Sequence, residues 1–154
     1  MTLAPKTPSD TRVTSHALML PEHANHMGHV HGGWIMKLVD ENGGLAATRH
    51  SRRTVVTVAV EGMVFHRPVV VGSVLQFDAR LVWAGRTSME VEVKVSHEDP
   101  IADTLELVHT ARMVYVALGA DHRPAPVPPL RTTTPEEDAL YQEAQERKAA
   151  RTGK

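Results

Sequence analysis

A short stretch of the chain gathers the residue types that acyl-transfer chemistry needs: Asn25, then the Gly32-Gly33 pair, then Asp40. Glycines ahead of a helix let a ligand approach free backbone N–H groups, and the helix start adds positive partial charge. Together these can stabilise an oxyanion on an attacked carbonyl; a simple glycine turn is the other reading. Asp40 falls at the edge between the polar stripe and the apolar arc of a helix, beside Met36, Gly43, Gly44 and Ala47. A carboxylate among small residues can act as a base or nucleophile. It can equally pair with Lys37 one turn earlier. Asn25 offers an amide to hold a water or a carbonyl, or it closes an Asx-turn. His23, His26, His29 and His31 have a spacing that suggests zinc. No cysteine or second element completes a ligand set, so no metal is assigned. They read as surface loop histidines, or as one ring touching a substrate.

Composition removes several other chemistries. With no cysteine, disulfide scaffolds, thiolate metal sites and cysteine nucleophiles are excluded. A net charge of -1 gives no field for non-specific nucleic-acid binding. There is no phosphate-binding glycine fingerprint and no G-x-S-x-G elbow. No apolar run is long enough to span a bilayer, and the start, MTLAPKTPSD, lacks a secretory apolar stretch. A soluble cytoplasmic protein is expected, with no membrane insertion.

The elements that must position these residues follow from periodicity. Residues 1–10 read as a flexible arm, 11–20 as a first strand ended by Pro21, and 22–33 as a polar loop. Trp34 to about His50 reads as a helix whose wide apolar arc predicts that it is wrapped by other structure. Gly43 and Gly44 in its interior signal close backbone approach or room for a ligand. Thr54 to His66, Val69 to Trp83 (bent near Gly72), Arg86 to His97 and Thr104 to Leu118 read as four strands. Short connections predict an antiparallel meander. In the third of these, Met89, Val91, Val93 and Val95 face one way, with Ser88, Glu90, Glu92 and Lys94 on a wet face. A proline-rich exit and a charged helix or tail occupy 121–154. The fold class is α+β, one long central helix wrapped by a curved antiparallel sheet over 11–120.

Asn25 to Glu41, N-H-M-G-H-V-H-G-G-W-I-M-K-L-V-D-E, resembles the acyl-CoA thioesterases of the hotdog fold, and most of all the bacterial acyl-CoA hydrolases related to the brain cytosolic enzyme. Val55 to Gly72 resembles that family's second strand and its F-x-R-P-V turn, and Gly85-Arg86-Thr87-Ser88 resembles its hairpin. The resemblance implies a homodimer of sheets joined edge to edge, assembling further as a trimer of dimers, with the site at the dimer interface. It implies that Asp40 is the base or nucleophile, that Gly32 or Gly33 supplies the oxyanion N–H, and that Asn25 positions water or thioester from the opposite chain. Arg86, Thr87 and Ser88, and also Arg67, would lie near the CoA phosphates. CoA is then part of the substrate and no separate cofactor is implied. The activity implied is hydrolysis of a fatty acyl-CoA to free acid and CoA. A hydratase of this fold resembles an Asp with a His five residues on, and Leu45 stands there. A non-catalytic acyl-CoA binder and a His-loop metal protein are the competing classes.

Overall fold

A computed structural model describes residues 3–152. The central element is the helix α2, Gly32–Ser51. Ile35, Val39, Gly43, Ala46, Ala47 and His50 recur three or four residues apart and are all buried. That stripe packs on a five-stranded antiparallel sheet made of β1 (Val13–Leu18), β2 (Thr54–Phe65), β3 (Val74–Ala84), β4 (Ser88–Asp99) and β5 (Thr104–Leu118). The core lies between them, where Leu75, Phe77, Leu81, Met89, Val91, Val93 and Val95 have almost no exposure. A short helix α1 (Pro8–Thr11) precedes β1, and α3 (Pro135–Thr152) closes the chain. Within 1–10, the segment expected to be a loose arm, Lys6 pairs with Leu130 in a parallel bridge. No helix among the described residues is long and apolar enough to cross a membrane.

The architecture is the expected hotdog, but its strand order is β1-β3-β4-β5-β2. The four-strand meander is therefore corrected to a three-strand one. β2 does not pair with β3, which already has β1 on one side and β4 on the other. It crosses to the far edge and pairs with β5. Two segments also start later than expected. The chain turns at Gly72, with φ 92, before β3 begins at Val74, and β4 begins at Ser88 after the hairpin.

Much of the β4 face expected to be wet is covered. Glu90 and Glu92 are 2% and 3% exposed, while the Lys94 side chain keeps 44% exposure. Arg147 of α3 pairs with Glu90, and Arg80 and Arg112 pair with Glu92. Alternation identified the two faces correctly, but a carboxylate can be buried when a guanidinium neutralises it.

Candidate active site

Asp40 sits mid-helix on the flank of α2 that meets the sheet, half-buried. The pairing with Lys37 does not form; Lys37 donates to Glu41 at 2.7 Å. Asp40 is held instead from the sheet. The Thr57 hydroxyl, on β2, donates to Asp40 Oδ1 at 2.7 Å. The Tyr115 hydroxyl, on β5, lies 3.0 Å from the Asp40 carbonyl oxygen and 3.2 Å from Oδ1. Both hydroxyls thus converge on one carboxylate oxygen, and Oδ2 has no partner among the described residues. Tyr115 is only 1% exposed. Burial first, and then the Asp40 charge, pushes its phenol far above the ordinary range, so it stays a donor.

Gly43 makes this arrangement possible. A Cβ there would lie 2.5 Å from the Tyr115 hydroxyl oxygen, inside any allowed contact. At Gly44 a Cβ would meet Tyr115 at 3.6 Å, an ordinary contact. The close approach inferred from the glycine pair therefore belongs to Gly43.

Asn25, Gly32 and Arg67 come together elsewhere, lining a cleft of about 330 Å³ with His29, Phe65 and His66. Asn25 Oδ1 accepts from the N–H groups of Met27 and His29 at 2.9 and 3.2 Å. The Asx-turn thus forms and consumes the oxygen, while the NH₂ group donates to no described residue. The helix begins two residues before Trp34, placing both glycines in its first turn. His31 is the N-cap, and its Nδ1 accepts from the Gly33 N–H at 2.9 Å. The Gly32 N–H has no acceptor among the described residues, so it is the free donor of the pair. His23 stacks on Trp34 with ring centroids 4.1 Å apart. Two of the four loop histidines thus have local structural tasks.

Asp40 does not line this cleft. It lies eight helical residues beyond Gly32, roughly 12 Å along the axis. An oxyanion donor and a base serving one carbonyl must each lie within about 3 Å of the reacting atoms. Within one chain the Asp40 carboxylate and the Gly32 N–H therefore do not converge on one point. The phosphate candidates are also divided. The Arg67 N–H faces Val108 O and its guanidinium pairs with Glu106 at 2.7 Å. Thr87 O instead accepts from the Ala117 N–H at 3.0 Å, near the other end of β5. Arg86 is exposed, while Ser88 is 7% exposed.

Thr57 and Tyr115 were missed in the sequence. Thr57 is hidden in a β-branched run where threonine reads as strand propensity. Tyr115 reads as core, although a phenol on the apolar face of a strand needs a polar partner, and that need was the available signal.

A helix laid across a five-stranded antiparallel sheet with the order β1-β3-β4-β5-β2 places the protein in the hotdog class. A thioesterase superfamily model matches residues 27–102. An uncharacterised acyl-CoA thioester hydrolase of Zymomonas mobilis is 41% identical, over 75% of this chain and 78% of its own length. The rat cytosolic acyl coenzyme A thioester hydrolase is 34% identical over 97% of this chain, which spans 41% of that protein. Among solved structures, an acyl-CoA hydrolase from Staphylococcus aureus in complex with butyryl coenzyme A and coenzyme A matches with a TM-score of 0.90 at 28% identity. The match covers 96% of this chain and 90% of that one. The chain belongs to the acyl-CoA thioester hydrolases of the thioesterase superfamily.

Proposed function

We propose that this protein hydrolyses fatty acyl-CoA to free acid and CoA, at a site built from two copies of the chain. Asp40 comes from one copy, and Asn25 and Gly32 come from the other. Water attacks the thioester carbonyl, and Asp40 Oδ2 takes a proton from it. The Gly32 N–H and the Asn25 amide hold the oxyanion. Collapse breaks the C–S bond, and the CoA thiolate leaves and is protonated. The observation that carries this reading is the pair of hydroxyls on Asp40 Oδ1, which fixes the carboxylate and leaves its second oxygen free.

The two-copy arrangement is supported by β2, an edge strand whose Val56, Val58, Val60, Val64 and Phe65 are all at least 41% exposed. Paired edge to edge, two such strands would cover each other and bring one copy's α2 flank towards the other's cleft. A trimer of such dimers is the further assembly proposed; a structural neighbour at 30% identity and TM-score 0.92 is a hexameric acyl-CoA thioesterase. Arg86 and Thr87, in the turn ahead of β4, would bind the CoA phosphates. The Staphylococcus aureus neighbour has been characterised as single alanine variants of an aspartate, a threonine and an asparagine. Those are the residue types of Asp40, Thr57 and Asn25. The cytosolic rat relative supports a cytoplasmic place of work.

The test is Asp40→Ala assayed by thiol release. The chain has no cysteine, so a thiol reagent reports only liberated CoA. The variant is expected to keep its fold and lose about 10²–10⁴-fold in turnover. Full activity would reject Asp40. A parent protein that binds CoA esters but releases no thiol would instead be a non-catalytic binder.

A further inference from the structure

The central helix and the edge strand touch at two places on one flank. At the start of α2 the Phe65 ring of β2 packs against Gly32, where a Cβ would lie 3.3 Å from the ring. Two turns on, the Thr57 hydroxyl of β2 holds Asp40 at 2.7 Å. Gly32, Met36 and Asp40 recur at intervals of four residues, so they stand on one side of the helix. Met36 therefore lies midway between the two contacts. It is 40% exposed and stays outside the core cluster.

The strand supplies the facing wall through its irregular spacing. Opposite Tyr115, Met113, Ala111 and His109, the buried residues of β5, stand Thr57, Val60, Met63 and Phe65 of β2. A regular strand turns every second side chain to one face. Register shifts between Thr57 and Ala59, and between Val60 and Gly62, widen two of the intervals to three residues. The two bulges thus keep Val60 and Met63 on the face turned to α2. Val60 remains 51% exposed there. A groove with Met36, Val60 and Met63 as walls therefore runs from Gly32 and Phe65 to Asp40 and Thr57.

The groove is apolar, whereas the cleft beyond Gly32 is lined by Asn25, His29, His66 and Arg67 among others. An acyl thioester is divided in the same way, with hydrocarbon on one side of its carbonyl and an amide-bearing arm on the other. With the carbonyl at the Gly32 N–H, the cleft suits the amides and the groove suits the hydrocarbon. The groove also has an end. Roughly 12 Å along α2 from Gly32 it meets the Asp40 carboxylate and the hydroxyls of Thr57 and Tyr115. A methyl terminus pressed against that carboxylate would strip water from a charge. In the two-copy site this Asp40 serves the other active centre, so a chain that reached it would also obstruct that centre. An extended chain advances about 1.2 Å per bond, which leaves room for about eight carbons short of contact with the carboxylate.

We propose that this protein is selective for medium-chain acyl groups, and that Met36, as the helix-side wall of the groove between α2 and β2, is a residue that sets the chain length. This rests on the proposed hydrolase activity and names its substrate class.

The measurement is kcat/KM, read by thiol release, for straight-chain CoA esters from acetyl to palmitoyl. In the parent it is expected to rise up to about eight carbons and to fall beyond them. A rise that continues to palmitoyl overturns the proposal. Two variants test Met36 itself. Met36→Trp fills the groove one turn from Gly32, and its octanoyl-to-acetyl ratio of kcat/KM is expected to fall at least about tenfold. Met36→Gln keeps the size and helix propensity of methionine but sets an unpaired amide against the tail, and the same ratio should fall about fivefold. Leu45, 44% exposed on α2 beyond Asp40, gives the control for added bulk: Leu45→Trp should keep the parent's ratio. A ratio unmoved in both Met36 variants overturns the role of Met36, and so does an equal fall in Leu45→Trp. A parent that releases no thiol from any ester refutes the hydrolase reading instead. The ratio of calorimetric affinities for octanoyl-CoA and acetyl-CoA, in the parent and the same variants, then decides the groove without turnover.

Discussion

Tyr115 has one hydroxyl proton and sets it against two oxygens of Asp40. A hydrogen bond to a charged acceptor is worth about 1.5–3 kcal/mol, so its loss should be felt in catalysis more than in folding. Tyr115→Phe is expected to lower kcat about tenfold with KM unmoved, as read from Michaelis curves. An unchanged kcat would leave Thr57 as the sole support of the carboxylate. His109 gives a different prediction. Its imidazole is fully buried against Phe65, with ring centroids 4.3 Å apart. Burial, and then the nearby His66, lowers its pKa from 6.5 to about 4. Between those values the unfolded chain binds a proton that the folded chain does not, so stability falls as pH falls. The loss should be on the order of 2 kcal/mol between pH 7 and pH 5. Urea titrations of the parent and His109→Leu at both pH values test it: the leucine variant should lose a correspondingly smaller amount on acidification.

At the scale of the element, neighbouring glycines in α2 should respond in opposite ways. Alanine is worth about 1 kcal/mol over glycine in a helix interior. At Gly44 nothing opposes that gain, because the added Cβ meets Tyr115 at 3.6 Å. Gly44→Ala should therefore stabilise. At Gly43 the Cβ would collide with the Tyr115 hydroxyl, and overpacking costs about 1–3 kcal/mol. Gly43→Ala should destabilise and displace the group that holds Asp40. Thermal melts of the two variants decide this, and the same sign at both positions would refute it. The helix itself was legible because its apolar period survives along its whole length, and β5 was legible to the residue at both ends. The place of β2 was not. Its local pattern declares a strand but carries nothing about which neighbour it pairs with, and the edge it takes is decided by β1 occupying the side of β3. The covering of Glu90 and Glu92 was hidden for a similar reason, since their partners Arg80, Arg112 and Arg147 lie on β3, β5 and α3. Asp40, Asn25 and Gly32 stand out in the sequence only as a set in order, and which glycine N–H of the pair is capped needed the His31 side chain to be seen.

For the molecule as a whole, the apolar edge at β2 and the separation of the two half-sites point the same way. Edge strands that stay alone are blunted by lysine, proline or short length, whereas β2 runs from Thr54 to Phe65 with exposed valines along it. Val58→Lys should dissociate the assembly and abolish turnover together, as seen by light scattering and thiol release on the same sample. A monomer that keeps full activity would separate the two. The most direct measurement is complementation between two inactive proteins, Asp40→Ala and Asn25→Ala, co-expressed with different tags and purified through both. In a mixed dimer one site carries both defects and the other carries neither. A randomly assorted population should regain about one quarter of parental turnover, and a doubly selected mixed dimer about half. Turnover no higher than that of either variant alone would contradict a site shared between chains.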